Sequence, residues 1–279
     1  MDAVVHRVSA WDGLPLLVRE WGDSGMHPPL LCLPGLVRTG GDFAGLAANL
    51  ATERRVIALD YPGRGGSGRA RDVCRYAPEA CIRDVLDVCA ALHVRGAIGV
   101  GTSFGGLLCM ALAVTQRSLL RGVVLNDIGP EIGERGAEFV RWFVATDPAL
   151  PNLGACVGFL KSVLPVLSLR TEDDWQAMAR LTYAPDPHGV WRPLWDTRIA
   201  GLLRRRTPDL WTLFGGLQHL PLLLIRGEES DILLPTTLAR MRATRPDMEV
   251  VSVPGVGHAP TLGEADVAGA LGAFLRSIG

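Results

Sequence analysis

Apolar positions along this chain fall into two patterns that take turns. Short unbroken apolar runs at residues 30–33, 55–59, 97–100 and 122–126 have the length expected of strands buried on both faces. Residues 221–226 and 249–253 repeat the pattern near the C-terminus. Between the early runs, residues 42–51 and 78–92 carry apolar side chains at helical spacing. In the second of these, Cys81, Val85, Val88, Cys89 and Leu92 form one stripe. Strand and helix in alternation predict a mostly parallel sheet with right-handed crossovers and helices on its faces. Ahead of it, residues 4–8 and 14–20 flank Asp12-Gly13, a turn pair that predicts a hairpin.

The alternation breaks between about residues 131 and 216, a stretch without β-branched runs that reads as several helices. Thr171 with Asp174, and Thr207 followed by Pro208, have the chemistry of helix starts. Trp142, Phe143, Phe159, Trp175, Tyr183, Trp191, Trp195, Trp211 and Phe214 gather most of the chain's aromatic rings here. A helical insert rich in aromatics, placed after a sheet strand, predicts a lid over a pocket. The expected division is a core of residues 1–130 and 217–279, with a helical cap of residues 131–216 inserted after the sixth strand.

Composition narrows the class. With 48% hydrophobic and 20% charged residues in 279, the chain has the makeup of a packed globule rather than a disordered one. A net charge of -1 provides no electrostatic footprint for nucleic acid or an anionic membrane. The one basic run, Arg204-Arg205-Arg206, reads as a solvated helix end. No apolar stretch is long enough to span a bilayer, and residues 1–7 lack a secretory layout. The six cysteines form no C-x-x-C pair and sit mostly in apolar segments, so reduced thiols, a cytoplasmic location and no zinc are expected. No nucleotide or other cofactor is expected either. Residues 63–68 do not open a helix as a dinucleotide fingerprint would, and Lys161, the only lysine, is not in a phosphate-binding loop.

The chemistry starts at Gly101-Thr102-Ser103-Phe104-Gly105, which joins an apolar strand run to a helix-like stretch. In that setting the pattern G-x-S-x-G is a nucleophile elbow, and Ser103 is the expected nucleophile. A serine hydroxyl needs a base, and the base needs an orienting acid. His258, in Pro254-Gly255-Val256-Gly257-His258-Ala259-Pro260 just past a strand, is the expected base. Asp231, five residues beyond the end of the run at 221–226, is the expected acid, while nearby Glu228 and Glu229 read as solvated. Asp127 is its rival: it too follows a strand, and its other reading is a carboxylate capping turn amides. The oxyanion donors are expected to be the backbone N–H groups of Phe104 and of Leu36 in Leu33-Pro34-Gly35-Leu36, because Pro34 has no N–H to give.

Taken together, these segments resemble the α/β-hydrolase superfamily over nearly the whole chain. Asp60-Tyr61-Pro62-Gly63-Arg64-Gly65-Gly66-Ser67-Gly68 matches the D-x-P-G-x-G-x-S loop of its small bacterial members. The chain departs from many relatives in carrying Pro34-Gly35 where they have His-Gly, which removes an imidazole but keeps the amides. The resemblance implies acyl transfer to water through a Ser103-His258-Asp231 triad, acting on a carboxylic ester, lactone or thioester of a small molecule. Serine at the elbow separates the chain from the dehalogenase and epoxide hydrolase branches, which use aspartate there. Cleavage of a carbon–carbon bond in a ring-cleavage diketone, or of an amide, is the alternative. Relatives that break carbon–carbon bonds often carry Trp after the histidine, where this chain has Ala259. A ligand receptor on a hydrolase scaffold is the reading from another class. Arg38, Trp142 and Trp175 are the candidate substrate-binding side chains.

Overall fold

The computed structural model of the chain describes residues 2–23, 25, 27–204 and 209–279. Arg205, Arg206, Thr207 and Pro208, read above as a basic run and a helix start, lie outside these residues. Eight strands form one sheet: β1 (Val4–Ser9), β2 (Pro15–Trp21), β3 (Leu30–Leu33), β4 (Val56–Leu59), β5 (Ala97–Thr102), β6 (Leu120–Asn126), β9 (Leu222–Gly227) and β10 (Glu249–Val253). Their order across the sheet is β1-β2-β4-β3-β5-β6-β9-β10. The pairs β1–β2 and β2–β4 are antiparallel, and every pairing from β4 onward is parallel. The N-terminal hairpin expected around Asp12-Gly13 is thus the antiparallel edge of a parallel sheet.

The continuous apolar runs explain the burial. Alternate residues of a strand point to opposite faces. Leu31, Leu33, Ile57, Leu59, Val123, Leu125 and Leu224 enter one core, and Leu30, Cys32, Val56, Ala58, Ile98, Val100, Val124 and Leu223 enter the other. The first core is closed by helices α2 (Pro78–Ala91) and α3 (Phe104–Thr115), through Cys81, Val85, Val88, Leu108 and Leu112. The second is closed by α1 (Ala44–Leu50) and α9 (Ala265–Ile278), through Leu46, Ala47, Val267, Leu271 and Phe274. Helix α8 (Pro235–Thr244) lies between β9 and β10 in the chain.

Between β6 and β9 the chain forms α4 (Glu134–Ala145), α5 (Leu153–Val163), α6 (Glu172–Arg180) and α7 (Leu210–Gly215). Helices α4, α5 and α6 share a third core built on Val144, Cys156, Val157, Leu160, Trp175, Tyr183 and Trp195, joined to the sheet domain through Val37 and Tyr76, whereas α7 packs into the first core through Phe214. Thr171 and Asp174 close a capping box at the start of α6. Helix α7 is capped by Asp209, whose carboxylate accepts from the Trp211 N–H at 3.0 Å. The helical reading of this stretch missed one feature, a small hairpin of β7 (Tyr183–Pro185) and β8 (Trp191–Pro193). Each strand is three residues long and ends in proline, so it carries no period-2 signal. Backbone bonds tie this stretch to loops of the sheet domain: Gly65 N–H to Leu194 O at 2.7 Å, and Gly257 N–H to Val166 O at 2.7 Å. Among the described residues, no helix is long and apolar enough to cross a membrane.

Candidate active site

Ser103 stands between the last residue of β5 and the first of α3 with φ +52° and ψ -115°. Only a turn this sharp lets the helix start directly over the strand end, and the two elbow glycines are what permit it. A Cβ at Gly101 would lie 2.5 Å from the Gly105 carbonyl, and one at Gly105 would lie 1.8 Å from the Leu33 carbonyl oxygen. The turn is held from both sides. Ser103 donates its N–H to Asn126 O at 2.9 Å, and its own carbonyl accepts from Gly106 N–H at 2.9 Å.

His258 follows β10 in the loop leading to α9. Its Nε2 lies 2.9 Å from Ser103 Oγ, and its Nδ1 lies 2.7 Å from Asp127 Oδ2. A carboxylate can only accept, so Nδ1 carries the proton and Nε2 is left to accept from the serine hydroxyl. The Asp127 carboxylate is fully buried and takes two more donors: Gly227 N–H on Oδ1 at 3.1 Å and the Ser230 hydroxyl on Oδ2 at 2.5 Å. Asp127 holds φ +54° at the end of β6, a left-handed conformation that aspartate tolerates better than most residues. The preceding Asn126 donates to Thr102 Oγ1 at 3.1 Å and to Pro260 O at 2.9 Å, binding the end of β5 to the histidine loop.

The two backbone N–H groups expected as oxyanion donors are those of Phe104 and Leu36. Phe104 is the first residue of α3, so its N–H has no acceptor within the helix. Leu36 sits in the loop after β3, whose shape is set by Arg38 N–H on Gly35 O at 3.0 Å and the Tyr61 hydroxyl on Pro34 O at 3.3 Å. Burial pushes the Tyr61 phenol well above its ordinary range, which keeps it a donor. The Leu36 N–H makes no hydrogen bond among the described residues.

A strained serine, a histidine on its hydroxyl and a buried carboxylate on the histidine are set at the ends of a largely parallel sheet. Residues 30–270 match the alpha/beta hydrolase family. The chain belongs to that family. It is 32% identical over 253 residues to a 3-hydroxybutyrate-oligomer hydrolase of Cupriavidus necator, covering 87% of this chain and 86% of that one. It is 28% identical over 247 residues to a 2-(acetamidomethylene)succinate hydrolase of Mesorhizobium japonicum, covering 88% of this chain and 85% of the other. The crystal structure of an alpha/beta hydrolase from Novosphingobium aromaticivorans superposes with a TM-score of 0.93 at 34% identity over 99% of both chains.

Within this alpha/beta hydrolase, the expectation for the acid is corrected. Asp231 is not the partner of His258: its carboxylate makes no hydrogen bond or ion pair among the described residues. Asp127 Oδ2 already occupies Nδ1, and the residue that the loop after β9 sends to that carboxylate is Ser230, one position earlier. The Asp231 carbonyl packs instead on the start of α4, where a Cβ at Gly133 would come within 2.1 Å of it. Ser230 went unnoticed in the sequence because a lone serine in a loop carries no signal.

The three candidate substrate residues lie apart from this set. The Arg38 guanidinium is spent within the protein, with Nε and Nη2 on the Asp42 carboxylate at 2.7 and 2.6 Å and Nη1 on Thr182 Oγ1 at 2.5 Å. Trp142 is 47% exposed on α4, in ring contact with Phe139, Phe143 and Phe159. Trp175 is buried in the core of the helical stretch, with the Lys161 ammonium 5.9 Å from its ring. Among the described residues, no hydrogen bond or ring contact joins any of them to Ser103 or His258.

Proposed function

We propose that this hydrolase cleaves the ester bond of a small carboxylic ester through a Ser103 acyl-enzyme. The observation that carries the reading is the unbroken chain Ser103 Oγ–His258 Nε2 and His258 Nδ1–Asp127 Oδ2, at 2.9 and 2.7 Å. His258 Nε2 takes the hydroxyl proton as Ser103 Oγ bonds to the ester carbonyl carbon. The imidazolium formed is stabilised by Asp127. The carbonyl oxygen becomes an oxyanion, held by the Leu36 and Phe104 N–H groups. As the tetrahedral species collapses, the carbon–oxygen bond to the alcohol breaks and Nε2 returns the proton to the leaving oxygen. A water then attacks the acyl carbon and gives a proton to Nε2; as this second tetrahedral species collapses, the carbon–Oγ bond breaks and Nε2 returns that proton to Ser103 Oγ, which frees the acid.

The name of the Cupriavidus relative points to esters of short hydroxy acids as the first substrates to try. The helical stretch of residues 131–216 would act as the lid over this small-molecule site. Its contact with the histidine loop, Gly257 N–H on Val166 O at 2.7 Å, supports that role. The test is release of p-nitrophenol from butyrate esters, hydrolysis of linear 3-hydroxybutyrate dimers and fluorophosphonate labelling read by mass spectrometry, on wild type and Ser103→Ala. Turnover and label at Ser103, both lost in Ser103→Ala, are expected. A specific small ligand bound with neither turnover nor label would overturn the reading in favour of a receptor.

A further inference from the structure

Arg64 poses a question that the triad does not answer. It lies in the loop after β4, is 0% exposed, and forms no ion pair with any carboxylate among the described residues. Its Nε donates to Leu36 O at 2.8 Å and its Nη1 to Pro62 O at 2.7 Å, while the buried Nη2 has no partner among the described residues. The guanidinium carbon lies 5.7 Å from the Tyr61 ring, 5.7 Å from Tyr76 and 6.0 Å from Phe104. A guanidinium buried with no carboxylate in direct contact, where Asp196 acts only from a distance and is already paired with Arg198, is costly to place inside a protein, even with rings to face it.

The backbone is shaped to turn this side chain inward. Gly63 and Gly65 flank it at φ +73° and +53°, and a Cβ at Gly65 would lie 2.1 Å from Asp60 Oδ2. That buried Asp60 carboxylate pins the loop by accepting from Gly40 N–H at 2.7 Å and Gly66 N–H at 2.9 Å. On the other side, Gly65 N–H bonds to Leu194 O at 2.7 Å and Arg64 pairs with Trp195. The cation therefore sits on a rigid mount. What it holds are the two residues whose amides face the oxyanion in the reading above.

We propose that Arg64 is a positioning residue for oxyanion stabilisation, clamping the Leu36 carbonyl and the Phe104 ring so that the two amides converge on one point. The proposal rests on the ester-hydrolysis reading. Leu36 lies outside any helix or strand, and oxyanion donors work only when held at hydrogen-bond distance before charge develops. A displacement of about 1 Å can cost about 10²-fold in rate. Loss of the clamp therefore acts on the transition state and leaves ground-state substrate binding nearly alone.

The experiment compares wild type, Arg64→Met and Arg64→Lys for kcat and KM on p-nitrophenyl butyrate, and for inhibition by an alkyl trifluoromethyl ketone. That ketone forms the tetrahedral oxyanion on the serine. For Arg64→Met, kcat is expected to fall about 10- to 100-fold with KM within about 3-fold, and the inhibition constant to rise by the same factor as kcat falls. Arg64→Lys, with its charge kept but one donor nitrogen in place of a fork, is expected between the two. Unchanged kcat in Arg64→Met, or a change confined to KM, would overturn the clamp. Should Arg64→Met not fold, Arg64→Lys decides. Weaker ketone inhibition at constant KM supports the proposal, and equal inhibition refutes it. Absence of turnover in wild type falls on the ester reading instead.

Discussion

Replacing Asp127 by asparagine separates the observed acid from the expected one, and the structure dictates how the amide must sit. Gly227 N–H can only donate to Oδ1, whereas the Ser230 hydroxyl, which already accepts from the Ile232 and Leu233 N–H groups at 3.2 Å, can turn its proton away from Oδ2. An asparagine here keeps its oxygen toward Gly227 and turns its NH₂ toward the site of Oδ2. That NH₂ faces His258 Nδ1, which must now accept. The proton moves to Nε2, and the ring presents a donor to Ser103 where it needs an acceptor. Trapping the wrong tautomer in this way costs a serine hydrolase about 10⁴ in kcat. At 1.36 kcal/mol per factor of ten, that is roughly 5.5 kcal/mol of transition-state stabilisation. KM should stay within about 3-fold, because Asp127 touches no substrate. The carboxylate of Asp231 makes no bond, so Asp231→Asn should shift activity by no more than about 2-fold, as for a surface change worth about 0.5 kcal/mol. Steady-state kinetics on p-nitrophenyl butyrate for both variants decide the matter. A loss in Asp231→Asn comparable with that in Asp127→Asn would refute the assignment.

Three further outcomes follow from features away from the acid. Gly105→Ala places a Cβ 1.8 Å from Leu33 O, so thermal melts should show a loss of about 3 kcal/mol or a failure to fold; a wild-type melt would mean the elbow is looser than described. Arg75 holds the buried Asp84 carboxylate at 2.6 Å, and Arg75→Met should cost about 3–5 kcal/mol in urea unfolding, with most of it regained in Arg75→Met/Asp84→Leu. Burial raises the thiols of Cys81 to about 11 and of Cys89 and Cys109 to about 12, from 9.0 when unfolded. The folded state thus keeps these protons longer than the unfolded state. Their contribution to stability is whole below pH 9 and drains away as pH rises toward 11–12. Urea midpoints should fall above pH 9, and iodoacetamide at pH 8.5 should spare these three cysteines until urea is added; a flat midpoint or ready native alkylation would count against it.

The sheet was legible in the sequence because its determinants are local. Runs such as Leu30 to Leu33 are apolar at every position, and only a strand covered on both faces consumes such a run. The elbow was legible because its pattern is contiguous and sits between a strand run and a helical one, although the contact that demands glycine at 105 comes from Leu33, far away in sequence. The partner of His258 was not, because it depends on sheet order. The strand β6 lies between β5 and β9, so Asp127 at its tip is beside the nucleophile turn, while residues 230 and 231 arrive from one strand further away. Both aspartates follow an apolar strand run, and nothing in their neighbours says which reaches the imidazole. The hairpin of β7 and β8 was hidden by its brevity and its prolines. Arg38 looked available for substrate because neither its pairing with Asp42 nor its contact with Thr182, far away in sequence, could be read from the chain.

Placing the acid at the tip of β6 constrains how the molecule can be recombined. The helical stretch leaves the sheet only a few residues after Asp127, and its first helix rests on the Asp231 carbonyl one residue from Ser230. A graft that exchanges this stretch between relatives to alter substrate range has little room for its first junction. A cut before Asp127 moves the carboxylate with the donor, and a donor helix without glycine at the places of Gly133 and Gly136 would push the serine off its carboxylate. The safe exchange opens after Gly136, closes ahead of β9, and leaves the recipient's own loop at 227–231 in place.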